Sequence, residues 1–428
     1  MRIAALVISA MILASCTRAA GTGSLPSDVA NAVGPATSYR IIYRFAGSGD
    51  GNYPAAGMIA ESGTLYGTTL GGGIGGYGTV FSITTAGSEG IVSYFLGQQD
   101  GEKLDAGLVA ANGLMYGTTE DGGMYGKGVL FSVSSRGKTS LHYFGSRGDG
   151  AHPRAGLLAF GQKLYGSTAH GGRFDGGTLY SITASGQESV LHSFGPSDLF
   201  GTQPGGNLIS SGSKMYGTAA EGGPGKGGVA FWATPSGRAG RLHSFGYLDD
   251  GKNPEQASLL QFRGAMYGTT CKGGKYGDGV IFRLTASGIE KVIYSFGKSP
   301  RDGACPMAGL VSAHGLFYGT TSAGGDKGEG TVFAALSQGG EIVLHSFAGG
   351  SDGATPAAPL TVLQSNLYGT TSLGGDGFGT VFKIGFVGQS QLRREVPAAK
   401  SAASLGSSFS FASTPASSLP GREPQPQR

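Results

Sequence analysis

The chain has 428 residues, of which 83 are Gly, only 14% are charged, and the formal charge is +4. Ordinary globular chains carry roughly 7% Gly and about 25% charged residues. So mild a charge, with no basic stripe of interleaved aromatics, excludes a nucleic-acid partner.

At the N-terminus Arg2 precedes an apolar run from Ile3 to Ala14, which suits a signal-peptide core and is too short to span a bilayer. The run ends Leu13-Ala14-Ser15-Cys16, which resembles the bacterial lipoprotein signal. That resemblance implies removal of residues 1–15 and acylation of Cys16, with the membrane reached through a lipid anchor. The competing reading is an ordinary signal peptide with an incidental Cys. Thr17 follows, not the Asp that retains enterobacterial lipoproteins at the inner membrane, so an outer-membrane, extracytoplasmic location is expected. Residues 16–37 read as a lipidated Cys and a small, polar tether.

Residues 38–386 carry a repeat. Tyr-Gly-Thr or a near copy starts at Tyr66, Tyr116, Tyr165, Tyr216, Tyr267, Tyr318 and Tyr368, at intervals of 49 to 51 residues. Such a period marks modules that bury their apolar faces against one another. Four short apolar stretches recur per unit; in the first they are 56–60, 65–69, 78–83 and 91–95. Their β-branched and aromatic content, bounded by Gly turns, is a strand signal, and no helical spacing persists. Seven units of four strands describe an all-β, seven-bladed β-propeller.

The chain ends argue for a closed ring. Tyr39-Arg40-Ile41-Ile42-Tyr43-Arg44-Phe45 matches the fourth stretch of a unit, whereas the last unit stops after its third, Gly379-Thr380-Val381-Phe382-Lys383-Ile384. The N-terminal strand is therefore expected to complete the last blade, leaving no raw edge. From Val387 to Arg428 the period is lost in a Ser/Ala/Pro-rich stretch, which reads as a disordered tail. The link after the fourth strand holds Asp-Gly-x-x-Pro, as in Asp50-Gly51-Asn52-Tyr53-Pro54, although the blade-three exit differs and reads Ser197-Asp198-Leu199-Phe200-Gly201. The second-to-third link holds Gly-Gly, and in antiparallel blades both links emerge on one face.

Leu-Tyr-Gly-Thr-Thr, then Gly-Gly, Gly-Thr-Val-Phe, Leu-His-Ser-Phe and Asp-Gly-x-x-Pro together resemble the Gloeobacter/Verrucomicrobia-type tandem repeat. The strand layout is also similar to a distant kelch repeat. The resemblance implies an exported, anchored bacterial envelope protein and carries no common biochemical activity.

Several residues could carry chemistry. The recurrent Asp50, Asp100, Asp149, Asp250, Asp302 and Asp352 offer one or two carboxylates per loop, too few for calcium, and read as turn acceptors beside a positive-φ Gly. His142, His192, His243 and His345 occupy one fourth-strand position on separate blades, so they read as packing or edge groups and not as metal ligands. The Gly-Gly loops lack the helix and Lys-Ser/Thr of a phosphate loop, and Arg147-Gly148-Asp149 falls inside the Asp-Gly turn. No metal and no cofactor is expected. Cys271 and Cys305 lie in neighbouring loops on one face and read as a disulfide or as two free thiols.

Function should reside where the repeat varies. The Gly-Gly loops carry Tyr77, Tyr125, Phe174, Tyr276 and Phe378 among polar groups including His170, Arg173, Lys275 and Asp326, which suits a glycan or protein ligand. The alternative is that each ring covers its own glycine loop. No catalytic constellation is legible. The favoured reading is a monomeric binding module at the bacterial cell envelope. The alternatives are a polysaccharide lyase or hydrolase, and a structural envelope component.

Overall fold

Seven blades of four antiparallel strands form a β-propeller. The computed structural model describes residues 38–195, 199–388 and 390. The expected signal peptide, Cys16, the tether to residue 37 and the tail from 391 lie outside the described residues. In blade 1 the strands are Ile59–Glu61, Thr64–Thr69, Thr79–Thr84 and Glu89–Tyr94, paired in chain order. The short first strands touch one another around the axis. Blade 7 takes its fourth strand from the other end of the chain: Arg40–Arg44 pairs antiparallel with Thr380–Gly385, Arg44 opposite Thr380. The ring closes as the sequence predicts.

The Tyr-Gly-Thr phrase is the second strand, and each of its residues has a packing task. Gly67 stands opposite Phe81 of the paired third strand, and the Phe ring lies across it; a Cβ on Gly67 would come within 2.5 Å of that ring. Gly117, Gly217, Gly268, Gly319 and Gly369 face Phe rings in the same way, and Gly166 faces Tyr180. The position needs Gly for this close approach, with no unusual φ. The first Thr stitches blades together, because Thr68 Oγ1 donates to the Ala106 carbonyl of blade 2 (3.2 Å), as Thr218, Thr269 and Thr320 do to their next blades. The second Thr closes its own blade: Thr69 Oγ1 lies 2.9 Å from Thr79 Oγ1.

The third-strand ring that covers the Gly also meets the Phe ending the preceding blade's fourth strand. These contacts run Phe45–Phe81, Phe95–Phe131, Phe144–Tyr180, Phe194–Phe231, Phe245–Phe282, Phe296–Phe333 and Phe347–Phe382, with centroids 4.9 to 5.3 Å apart. Buried edge-to-face and tilted pairs of this kind add about 0.5–1.5 kcal/mol each beyond their buried area. The core is thus a circle of blade interfaces.

The recurrent Asp residues are turn acceptors. Asp50 takes hydrogen bonds from the Ala46 and Gly47 amides, Asp302 from Lys298 and Asp352 from Ala348. Five of these carboxylates also hold the fourth-strand side chain of their blade. His142, His243 and His345 place Nε2 at 3.0 to 3.1 Å from Asp149, Asp250 and Asp352, while Tyr43 and Tyr294 donate to Asp50 and Asp302. Blade 1 has Ser93 there, and Lys138 of blade 2 compensates: its Nζ lies 2.6 Å from Asp100 and 3.5 Å over the Phe95 ring.

Candidate functional site

The Asp-Gly-x-x-Pro links and Gly-Gly loops share one face, where backbone bridges join them in every blade, as Asn52 to Gly71 in blade 1 and Gly251–Lys252 to Lys272–Gly273 in blade 5. Within each link one equivalent residue adopts the left-handed region. These are Tyr53, Lys103, His152, Gln203, Asn253, Cys305 and Thr355, with φ between 53 and 58°. Such backbone is uncommon for any non-Gly residue and costs roughly 1 kcal/mol or more. It is held from both sides: the His152 amide donates to the Lys127 carbonyl of blade 2 (2.9 Å), and its own carbonyl accepts from Ala169 of blade 3 (3.0 Å). Tyr53, Asn253, Cys305 and Thr355 repeat this double bond.

The repeat therefore fixes the backbone at seven equivalent places and leaves the side chain different in each. Two or three residues further on, at the axis, the chain varies again: Ala55, Asp105, Arg154, Gly205, Gln256 and Ala357 border a narrow void of about 30 Å³. That volume holds a water and no sugar ring.

On blades 2 and 3 the variable positions carry charge and converge. Arg154 donates to Glu120 through Nε (2.8 Å) and Nη2 (2.7 Å), Lys103 reaches Asp121 (2.5 Å), and His152 Nδ1 lies 2.9 Å from the other Asp121 oxygen. Lys103 holds the Asp121 carboxyl below its usual range, although burial pushes the other way. Asp105 lies beside them, its carboxyl pushed up to about 6 by burial and by Glu120, with Arg154 opposing. Glu120, Asp121 and His152 offer atoms within 4.8 Å of one another. Lys103 and Arg154 already neutralise both carboxylates, so this donor set does not fit a resident cation. Against it opens a groove of about 480 Å³ lined by Lys127, Asp149, His152, His170, Asp175 and glycine backbone.

The loop residues singled out from sequence are spread around the rim and do not meet at one point. Three of the rings cover glycines of their own blade: Tyr77 lies on Gly97, Phe174 on Gly195 and Phe378 on Gly47. Tyr125 and Tyr276 stand half exposed, with Lys275 5.4 Å from the Tyr276 ring; Arg173 lies 5.2 Å from Phe174, and Arg301 pairs with Asp326. His170 does reach the groove, its ring edge-on to His152 at 5.7 Å. Cys271 and Cys305 are joined, their sulfurs 1.99 Å apart, which ties the blade-5 loop to the link into blade 6. Sequence reasoning missed Lys103, Asp105, His152 and Arg154. Aligning the x-x-Pro-x positions of the seven links exposes them, since small or neutral residues stand there in most other units.

Fold and loop face define a seven-bladed β-propeller repeat protein. The chain belongs to the Gloeobacter/Verrucomicrobia repeat family, whose profile matches residues 28–231 and 177–382. Among solved structures it is similar to a europium-containing methanol dehydrogenase, with 13% identity, a TM-score of 0.50, and 81% of this chain and 93% of that one covered. It is also similar to the BP39L lectin from Burkholderia pseudomallei, with 10% identity, a TM-score of 0.49, and 79% and 96% covered. At such identities these likenesses speak to the fold alone. No curated protein matches the chain in sequence.

Proposed function

We propose that this protein is an exported, lipid-anchored binding module of the cell envelope whose ligand, a glycan or a peptide, lies on the loop face over blades 2 and 3. One observation carries the reading: seven left-handed link positions keep one backbone while Tyr, Lys, His, Gln, Asn, Cys and Thr exchange upon it. Strain retained at equivalent positions with unlike side chains is what a rigid display scaffold needs. The groove beside His152 offers imidazole, ammonium and carboxylate groups, and Tyr125 stands against Gly145 of its lining, a mixture suited to hydroxyl-rich or peptide ligands. Export and anchoring rest on Arg2, the apolar run and Cys16, and the Cys271–Cys305 bond suits an oxidising compartment.

The test is binding to immobilised glycan and peptide arrays by the purified chain. His152→Ala and Arg154→Ala should each weaken a hit about tenfold or more, whereas Thr355→Ser, on the far side of the ring, should not. No hit above background, or hits indifferent to both changes, would overturn the reading. Cys16→Ala should move the protein from the membrane to the soluble fraction.

A polysaccharide-cleaving enzyme is favoured by Asp105 alone, whose raised carboxyl is in the range of a general acid. It borders a void too small for a sugar, and the adjacent acids are neutralised by Lys103 and Arg154. The binding reading is therefore preferred.

A further inference from the structure

The face opposite the variable loops carries a second groove, whose lining mixes apolar and polar groups. It lies between blades 1 and 2, holds about 460 Å³, and is lined by Tyr66, Ala111, Leu114, Met115, Val133 and Ser135, with Glu61 at its edge. The equivalent groove between blades 6 and 7 is filled by the chain itself. Beyond the last strand, Phe386 packs its ring 4.7 Å from His314 and 5.6 Å from Tyr318, and the Tyr318 hydroxyl donates to the Val387 carbonyl (3.1 Å). Val387 is 3% exposed.

Sheet register makes the two grooves comparable. Leu367 stands opposite Ile384 in blade 7, and Met115 opposite Val133 in blade 2. Phe386, two residues past Ile384, thus corresponds to Ser135, two past Val133; Tyr318 corresponds to Tyr66. Between blades 3 and 4 and between blades 5 and 6 the same space is closed from the first strand, where Phe160 and Phe262 sit 6.2 Å from Tyr165 and Tyr267. Blade 1 has Glu61 at that position, pointing to solvent and exposed. Tyr318 is fully buried beneath its filler, whereas Tyr66 is half-buried.

We propose that the groove between blades 1 and 2 docks an extended peptide segment of a partner protein that presents an aromatic residue followed by an aliphatic one. The aromatic ring would take the place that Phe386 holds over Tyr318, and Tyr66 would donate its hydroxyl to the peptide backbone as Tyr318 does. A buried ring supplies most of the affinity and the backbone bond sets the register.

The experiment uses the full chain and a fluorescein-labelled peptide, Lys-Ile-Gly-Phe-Val-Gly, copied from residues 383–388. Polarisation should show saturable binding with a dissociation constant on the order of 100 μM, and replacing the peptide Phe by Ala should weaken it about tenfold or more. Ser135→Phe builds the missing filler into the groove and should abolish binding without lowering the melting temperature. Glu61→Phe, which copies Phe160 and Phe262, should do the same from the opposite wall. Absence of saturation at about 1 mM peptide, or unchanged affinity in a folded filling variant, overturns the proposal. Binding that emerges only after removal of residues 391–428 also overturns it, assigning the groove to the chain's own C-terminal segment.

Discussion

At the scale of the residue, the repeat separates groups that build from groups that display. Asp50, Asp149, Asp250, Asp302 and Asp352 are fixed by backbone amides and by a His or Tyr, and at several of them the next blade adds a carboxyl to the same place. Glu188 sits near Asp149, Glu290 near Asp250 and Glu341 near Asp302, each at the start of a fourth strand. Burial first, and the Asp charge second, push Glu188 and Glu290 up to about 7 and Glu341 up to about 8. An acid raised in the folded state contributes stability below its unfolded value, near 4.5, and loses it as pH rises through the folded value. The melting temperature should therefore fall between pH 5.5 and 8.5. The combined variant Glu188→Gln, Glu290→Gln, Glu341→Gln should flatten that slope and exceed the parent at pH 8.5, by roughly 1 kcal/mol or more. Thermal melts at the two pH values decide it; parallel slopes in parent and variant would remove these carboxyls as the cause.

At the scale of the element, the strand pattern was fully legible because each strand is short, alternating and bounded by glycine. The turn role of Asp was legible too, since one carboxylate per loop cannot satisfy calcium. The site was not legible, because what marks it is a backbone angle shared by seven unlike side chains. A sequence shows Tyr53, His152 and Thr355 as unrelated residues; only the left-handed φ makes them one set. The rings at Tyr77, Phe174 and Phe378 looked equally available for a ligand, and their glycine contacts separate them from Tyr125 and Tyr276. Cys305 belongs to the seven, and its side chain is spent on Cys271, turning one display position into a brace between consecutive blades. The bond spans 34 residues. Reducing it should cost about 2–4 kcal/mol, mostly by freeing the unfolded chain, and lower the melting temperature by several degrees. Melts with and without reductant measure this, and Cys271→Ser with Cys305→Ser should melt like the reduced parent. An oxidised parent that melts no higher than this double variant would leave the bond without a stabilising role.

At the scale of the molecule, stability depends on the ring being shut. Arg40–Arg44 supplies one edge strand, but its neighbours do more than pair. Phe45 is fully buried and joins blade 7 to blade 1 through Phe81, and Tyr39 stacks on His345 at 3.5 Å while reaching the Asp352 carbonyl. Removing residues 38–46 therefore takes away one of the seven aromatic interfaces and the Tyr39 ring that packs on His345, Phe347 and Phe382, besides exposing the edge of Thr380–Gly385. Loss of one buried Phe alone costs about 3–5 kcal/mol, and an unpaired edge invites association between chains. The deletion variant should melt well below the parent and aggregate on concentration. Re-attaching residues 38–46 after Gly388 through a short glycine linker should restore most of the melting temperature, because the strand would then reach the same edge from the other chain end. Recovery in the permuted chain, measured beside the deletion, separates closure of the ring from simple loss of nine residues; an equal deficit in both would mean that the covalent order, and not the completed blade, sustains the propeller.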